Sequence, residues 1–471
     1  MTLSDTDFSY PFSTLINNEH RPHSAYRKVC KLRFLIDCTY IFFNPAFNSG
    51  IQRVVRNIVD HANESQQFEC IPVFYNQNAV YGVKKTIPGT IEKVFSKSQR
   101  VFQNLFEMLE NRYKAFSSKS ERTMFKPLYV LVSYFIKGIM FLCWGLLCLS
   151  KKSRVLVARL DRGYRIEILN DDIIVMLDAS WRKDAHELVS VSKSRGNVVI
   201  GVIYDLIPVT HPHLFNESLV NEFNQWLEWI TKTANGFMTI SKTVRDQTKS
   251  LMKERLLPND FEQRWFDYFY LGSELDLIHN TEVSQNVTSV FNKALPVYLM
   301  VSTIEPRKNH AYLLDAFGEL WAQNQKVILC FVGQIGWKCE SLLERIHGHP
   351  ENNKRLFMLN DLNDTDLEFA YQHSKALVFS SFEEGFGLPI VEAMQRGLPV
   401  MASNIPVFRE IGEDYCAFFE LDDPGSLCEL VESFELTGKF PSAKQLEGYQ
   451  WLTWKQATHL FLQKIKSHVA R

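Results

Sequence analysis

Short apolar runs of strand length recur along most of the chain, and between them apolar positions return every three to four residues. The runs fall at 32–40, 69–75, 173–178, 197–205 and 236–241. The clearest helical stretch follows the first of them, at 51–62, with Val54, Val55, Ile58 and Val59 on one face. Such alternation predicts α/β layers around parallel sheets. The segment 279–295 is polar, has little apolar periodicity and reads as a linker. Behind it a second series begins, with strands at 296–301, 326–333, 355–359, 376–381, 399–403 and 417–421. A last helical stretch runs from Trp451 to about Val469. The expected organisation is an extension at 1–31, a first domain at 32–278, a linker at 279–295, a second domain at 296–450 and a C-terminal helix at 451–471. Two doubly wound, Rossmann-like domains would face each other across a cleft, with ligands at the carboxyl ends of the strands.

One segment interrupts the first series. Residues 89–165 are too many for an ordinary connection. Within them 128–149 is almost wholly apolar, and basic residues flank it across 126–154. That length suits a membrane span, but a single crossing would divide one sheet between two sides of a bilayer. Two readings stay open. The stretch lies in or re-enters a membrane surface, with its lysines on anionic lipid, or it is a buried helix of an enlarged domain.

Composition narrows the function classes. The chain has 471 residues, is 22% charged and carries a net charge of -1, so it lacks the basic surplus of a general nucleic-acid binder. Its nine cysteines form no CxxC pair, which points to a reducing compartment rather than a disulfide scaffold. The polar, acidic start is unlike a signal peptide.

The candidate chemistry sits in the second series. Glu384 and Glu392 are separated by a glycine loop, Gly385-Phe386-Gly387, and the start of a helix at Leu388. Glycines allow close backbone approach, and unpaired N–H groups at a helix start attract anions. Glu384 at the loop would reach a sugar ring, and Glu392 inside the helix would accept from ribose hydroxyls. Incidental surface acids are the bland alternative, but they do not account for the whole string. The second motif, 301–309 (VSTIEPRKN), ends a strand and places Pro306, Arg307 and Lys308 at the next helix start. Cations there oppose the helix dipole, so they make sense if they hold an anion such as a diphosphate. A solvated pair of bases is the ordinary alternative.

These two motifs resemble glycosyltransferase family 4, with its GT-B fold. Residues 48–56 (NSGIQRVVR), 204–208 (YDLIP), 239–245 and 270–273 extend the similarity into the first domain. Within the family the pattern is most similar to bacterial enzymes that build O-antigen or capsular polysaccharide. The resemblance implies a C-terminal helix crossing back to the first domain. It also implies a retaining transfer of a hexose or deoxyhexose from a nucleotide sugar to a lipid-linked glycan, without metal or other cofactor, and at the inner face of the plasma membrane. The form of the second motif leans towards GDP-mannose by similarity alone. Carried over by motif, Arg307 and Lys308 would bind the diphosphate and Glu384 would contact the sugar. Gly385, Phe386, Gly387 and Leu388 would offer backbone N–H groups, and Glu392 would hold the ribose. Leu362 would line the base pocket, and Gly50 would let the first loop approach the phosphates. Many relatives carry His where Tyr204 stands, which leaves the role of Asp205 open between acceptor and sugar contact.

Other chemistries find less support. Asp364-Thr-Asp366 and Asp5-Thr-Asp7 spell the DxD of metal-dependent transferases, but Asp364 reads as a helix cap, and His211 with His213 lacks a third ligand. No G-x-S-x-G elbow marks a hydrolase. Trp181, Trp226, Trp229 and Trp337 suit core packing at least as well as sugar stacking. The rivals are a GT-B epimerase or phosphorylase and a non-catalytic binding protein on the same scaffold.

Overall fold

A computed structural model describes residues 31–45, 50–76, 79–84, 158–181, 185–275 and 282–470, with isolated positions between 106 and 156. The first sheet is built from β1 (Arg33–Asp37), β2 (Glu69–Asn76), β3 (Ala79–Val83), β4 (Gly163–Arg165), β5 (Ile173–Met176), β6 (Val198–Ile203), β7 (Gly236–Thr239) and β8 (Trp265–Tyr268), in the order β4-β3-β2-β1-β5-β6-β7-β8. Strands β5 and β7 are buried at every position and β1 and β6 at all but the first. Continuous apolar runs of this kind are what a parallel sheet covered on both faces requires. The second sheet comprises β9 (Val297–Val301), β10 (Ile328–Val332), β11 (Leu356–Leu359), β12 (Ala376–Phe379), β13 (Val400–Ser403) and β14 (Cys416–Phe419), ordered β11-β10-β9-β12-β13-β14. All its pairings are parallel. Strand order reverses between β1 and β5 in one sheet and between β9 and β12 in the other. Loops diverge at those two points and leave crevices at the strand ends.

The pair of doubly wound domains is as the alternation predicts, and the returning helix is as the resemblance implies. Trp454–Val469 packs against Gly50–Ala62 of the first domain. A capping box, Thr453 with Gln456, fixes its start. Trp454 is 1% exposed and donates from its ring to the carbonyl of Glu274 at 3.1 Å. Trp454→Ala is therefore expected to cost about 3–5 kcal/mol, read as a lower urea midpoint of unfolding.

Three boundaries differ from the sequence reading. The linker 279–295 contains a helix, Gln285–Phe291, whose Val287, Val290 and Phe291 are buried. Its polar faces hide that spacing, and the helix is anchored from outside by Ser284, which donates to Asp366 from backbone and hydroxyl, both at 2.7 Å. Strand β4 falls inside 89–165, so the insert ends before Gly163; β3 and β4 add antiparallel edges. The cap of Asp364–Gln372 is Asn363, not Asp364. Most of the insert, including 128–149, and the extension 1–30 lie outside the described residues. Among the described residues no helix is long and apolar enough to cross a membrane.

Candidate active site

Both motifs of the second domain end up at its switch point. The chain leaves β9 through 302–305 into a tight turn, Pro306–Lys308, rather than directly into a helix. Asn309 takes a left-handed conformation, φ 54°, and the helix begins at His310. Strand β12, paired with β9, delivers Ser380 to Gly387 to the same crevice. Ser380 Oγ donates to the carbonyls of Lys308 at 3.1 Å and Asn309 at 3.0 Å, and Phe382 N donates to the Arg307 carbonyl at 3.0 Å. The two loops are thereby locked to each other.

The anion between Arg307 and Lys308 in this structure is Glu384 itself. Arg307 Nη1 lies 2.6 Å from Glu384 Oε2, and Lys308 Nζ binds Oε1. Ser381 Oγ donates to the same Oε1 at 2.8 Å. Arg307 Nη2 also donates to Glu305 at 2.8 Å. Burial alone would raise the Glu384 carboxyl, but Arg307 and Lys308 outweigh it and hold the group at about 2. Burial, with Arg307 beside it, lowers the Lys308 ammonium. Asp205 follows β6 of the first domain and faces this cluster. Its carboxyl is raised by burial, with Glu384 and Glu305 adding to the rise and Arg307 opposing it. Its Oδ1 accepts from Ile207 N at 3.1 Å. Glu384, Arg307, Lys308 and Asp205, singled out separately in the sequence, are thus one electrostatic unit.

The glycine loop lies where the two domains touch. A Cβ added at Gly385 would run into the carbonyl oxygen of Tyr204. Ser241 Oγ donates to the Gly385 carbonyl at 2.8 Å, and Gln247 Nε2 donates to Glu383 at 3.0 Å. Glu410 accepts from the N–H of Lys242 at 2.6 Å and of Thr243 at 2.7 Å, which places a carboxylate on the start of a helix in the other domain. Gly387 sits at φ 101° and caps the helix Leu388–Gln395, a conformation open to glycine at little cost. Phe386 is 2% exposed and packs near Tyr270 and Trp451, so only its backbone is open to a ligand.

Glu392 has both oxygens engaged. Arg53, from the helix Gly50–Ala62, binds Oε1, and the Tyr371 hydroxyl donates to Oε2 at 2.7 Å. Arg53 went unnoticed as a site residue. The signal was present, because it lies three residues beyond Gly50 in the first-domain loop and helix. Gly50 itself opens that helix with nothing near its Cβ position. Leu362 lies half-buried in the loop after β11. The tryptophans are pinned: Trp226 donates to Ser180 at 3.1 Å, Trp229 to Ser190 at 2.9 Å and Trp337 to the Leu214 carbonyl at 3.0 Å.

Comparison with known proteins agrees with this geometry. Residues 285–449 match the family described as glycosyl transferases group 1. A serotype-specific mannosyltransferase, WbdA, of Escherichia coli is 33% identical over 303 residues, covering 63% of this chain and 37% of the relative. O-antigen chain mannosyltransferase B of Escherichia coli is 37% identical over 165 residues, 34% of this chain and 43% of the relative. The chain therefore spans well under half the length of these relatives. Among solved structures, Anabaena HepE in complex with UDP and glucose superposes with a TM-score of 0.53 at 12% identity, over 93% of this chain and 100% of that one. The two facing sheets are a GT-B fold, and the second of them, carrying Arg307, Lys308, Glu384 and Glu392, is the part of the chain that matches the glycosyl transferases group 1 family.

Proposed function

We propose that the chain is a retaining, metal-independent glycosyltransferase that moves a hexose, with mannose from GDP-mannose favoured, onto a lipid-linked surface glycan at the cytoplasmic face of a membrane. The observation that carries this reading is the buried Arg307–Lys308–Glu384 cluster at the switch point of a group 1 domain. The names of the relatives support mannose and an O-antigen acceptor. When donor enters, its diphosphate takes the two cations, and Glu384 turns to the sugar hydroxyls. Backbone N–H groups at 386–388 receive the phosphate, and the ribose competes with Arg53 for Glu392. The bond from the anomeric carbon to the diphosphate oxygen breaks, and Arg307 and Lys308 stabilise the charge left on that oxygen. The acceptor hydroxyl bonds to the same face of the sugar, and its proton passes to the departing diphosphate. No other cofactor is called for. Contact between the domains at Gly385 excludes water, the competing acceptor.

A panel of nucleotide sugars tests the reading. The matching donor should raise the unfolding midpoint, since ligand at about 100 times its Kd adds about 2.7 kcal/mol. If no nucleotide sugar shifts it, the transferase reading fails. Membrane contact is tested separately. Deleting 128–149 should move the protein from the membrane to the soluble fraction, and unchanged fractionation would refute a role for that stretch in attachment.

A further inference from the structure

The two domains also meet through one short loop of the second. Strand β10 ends at Val332, and the chain passes through 333–339 to the helix Glu340–His347. The first half of that loop is fixed to the motif that carries the cations. Ile304 N donates to the Gln334 carbonyl at 2.8 Å and Gly336 N to the Ile304 carbonyl at 2.9 Å, three residues before Arg307. A Cβ at Gly336 would come within 2.8 Å of that same Ile304 oxygen, so the two segments run in close contact. The second half crosses to the first domain. Trp337 Nε1 donates to the Leu214 carbonyl at 3.0 Å, and Lys338 Nζ donates to the carbonyls of His213 at 2.9 Å and Phe215 at 2.6 Å. Two adjacent side chains thus hold three successive main-chain carbonyls. Those carbonyls end the segment that starts at Asp205, and backbone bonds stiffen it: Ile207 N to Asp205 Oδ1 at 3.1 Å, His211 N to the Ile207 carbonyl at 2.7 Å and Leu214 N to the His211 carbonyl at 3.1 Å.

We propose that Trp337 and Lys338 are positioning residues for the transfer: by gripping 213–215 they set the segment that carries Asp205 against the loop that carries Arg307 and Lys308. The proposal rests on the transferase reading above. The backbone argues against an ordinary turn. Lys338 holds φ 51°, a region that a side chain enters at a cost and that glycine occupies freely. Strain of this kind persists where the surroundings demand it, and it collects at clamps and active sites. Lys338 is also exposed, so its worth to folding is small and its worth to the seating of the domains is what remains. The chemistry fits the task. An ammonium has three donors and no acceptor, so one Lys338 serves two carbonyls, and the single Trp337 N–H serves the carbonyl between them. The Trp337 ring lies 5.9 Å from that of Phe215 and steadies the grip. Every polar partner on the first domain is main chain, so the clamp reads position and not side-chain identity. The contact of Gly385 with Tyr204 is one point of seating. A second point stops the rotation that a single point would allow.

Three variants of the full chain test this. Lys338→Gly removes the ammonium and relieves the backbone, Lys338→Arg keeps a charged donor, and Trp337→Phe keeps a ring against Phe215 without the N–H. GDP-mannose is the donor and octyl α-mannoside the acceptor, and the readout is GDP release with acceptor divided by release without it. Lys338→Gly should unfold in urea at or above the native midpoint and keep native stabilisation by GDP-mannose. Its ratio should nevertheless fall about tenfold or more, within the hundredfold that a displacement of about 1 Å costs. Trp337→Phe should fall in the same direction by less, and Lys338→Arg should recover most of the native ratio. A native ratio in Lys338→Gly overturns the proposal. So does a midpoint that drops together with the ratio, because Lys338 would then only hold the fold, and so does a loss of donor stabilisation, which would move its role to donor binding. A native chain that neither binds nor cleaves GDP-mannose would sink the reading of mannose transfer itself, a failure seen before any variant is compared.

Discussion

Glu384→Gln is expected to lower transfer by about a hundredfold or more, the usual scale for a lost charge-stabilising group in an active site. The release of nucleoside diphosphate on adding acceptor would measure it. Lys308→Ala should fall as far. The cluster gives the reason. Glu384 neutralises two buried cations, and glutamine of the same shape leaves Arg307 and Lys308 facing each other with only Glu305 and Asp205 nearby. Breaking a buried pair from one side costs about 3–5 kcal/mol, so the variant should also unfold earlier in urea at pH 7. The pH dependence separates this from a general loss of packing. The Glu384 carboxyl is held at about 2 against an ordinary 4.5. A depressed carboxylate contributes stability that is full above the unfolded pKa and is lost as pH falls through the folded one. Between about pH 4.5 and 2 the native chain should therefore lose about 3 kcal/mol that the Gln variant never had. Parallel acid profiles for the two proteins, or full activity in Glu384→Gln, would remove Glu384 from the site.

The sequence carried this cluster further than its geometry would suggest. Arg307 and Lys308 lie more than seventy residues before Glu384, yet each motif could be read because each terminates an apolar run. Parallel strands bring such ends to one edge, and the strand order then decides which ends meet. The nature of the anion was the part that could not be read. Cations beside a helix start imply a negative partner, and a carboxylate serves as well as a diphosphate until donor arrives. Asp205 was legible as a strand end in the same way, although its contact with the cluster depends on how the two sheets face.

What stayed hidden was set by long-range packing. The helix Gln285–Phe291 is short and mostly polar, and its burial comes from Asp366 and the core, both distant in sequence. Strand β4 is the edge and its partner β3 lies across the insert, while β3 is short and half-exposed, so neither run is apolar enough to stand out alone. Arg53 belongs to a helix that periodicity did predict, but its reach to Glu392 crosses from one domain to the other.

Gly385→Ala should be nearly as damaging as loss of Glu384, for a different reason. The backbone at Gly385 needs no left-handed φ, so alanine fits the loop itself. The conflict is across the domain boundary, where the added Cβ would occupy the place of the Tyr204 carbonyl oxygen. The obstacle is main chain immediately after β6, so it cannot swing aside as a flexible side chain would. The second domain can bind donor with its N–H groups intact, but it cannot seat against Tyr204 and Asp205. A displacement of about 1 Å at a reacting centre costs about a hundredfold in rate, and the Ser241 bond to the Gly385 carbonyl would lengthen from its 2.8 Å. The expected pattern is donor stabilisation close to that of the native chain together with transfer reduced about a hundredfold, and hydrolysis of donor by water raised relative to transfer because the contact that excludes water has opened. Native transfer rates in Gly385→Ala would mean that the reaction does not pass through the closed contact. Loss of donor stabilisation along with transfer would instead place the damage in the loop, which Ser241→Ala, leaving Gly385 and its N–H groups untouched, would then distinguish by weakening the domain contact alone.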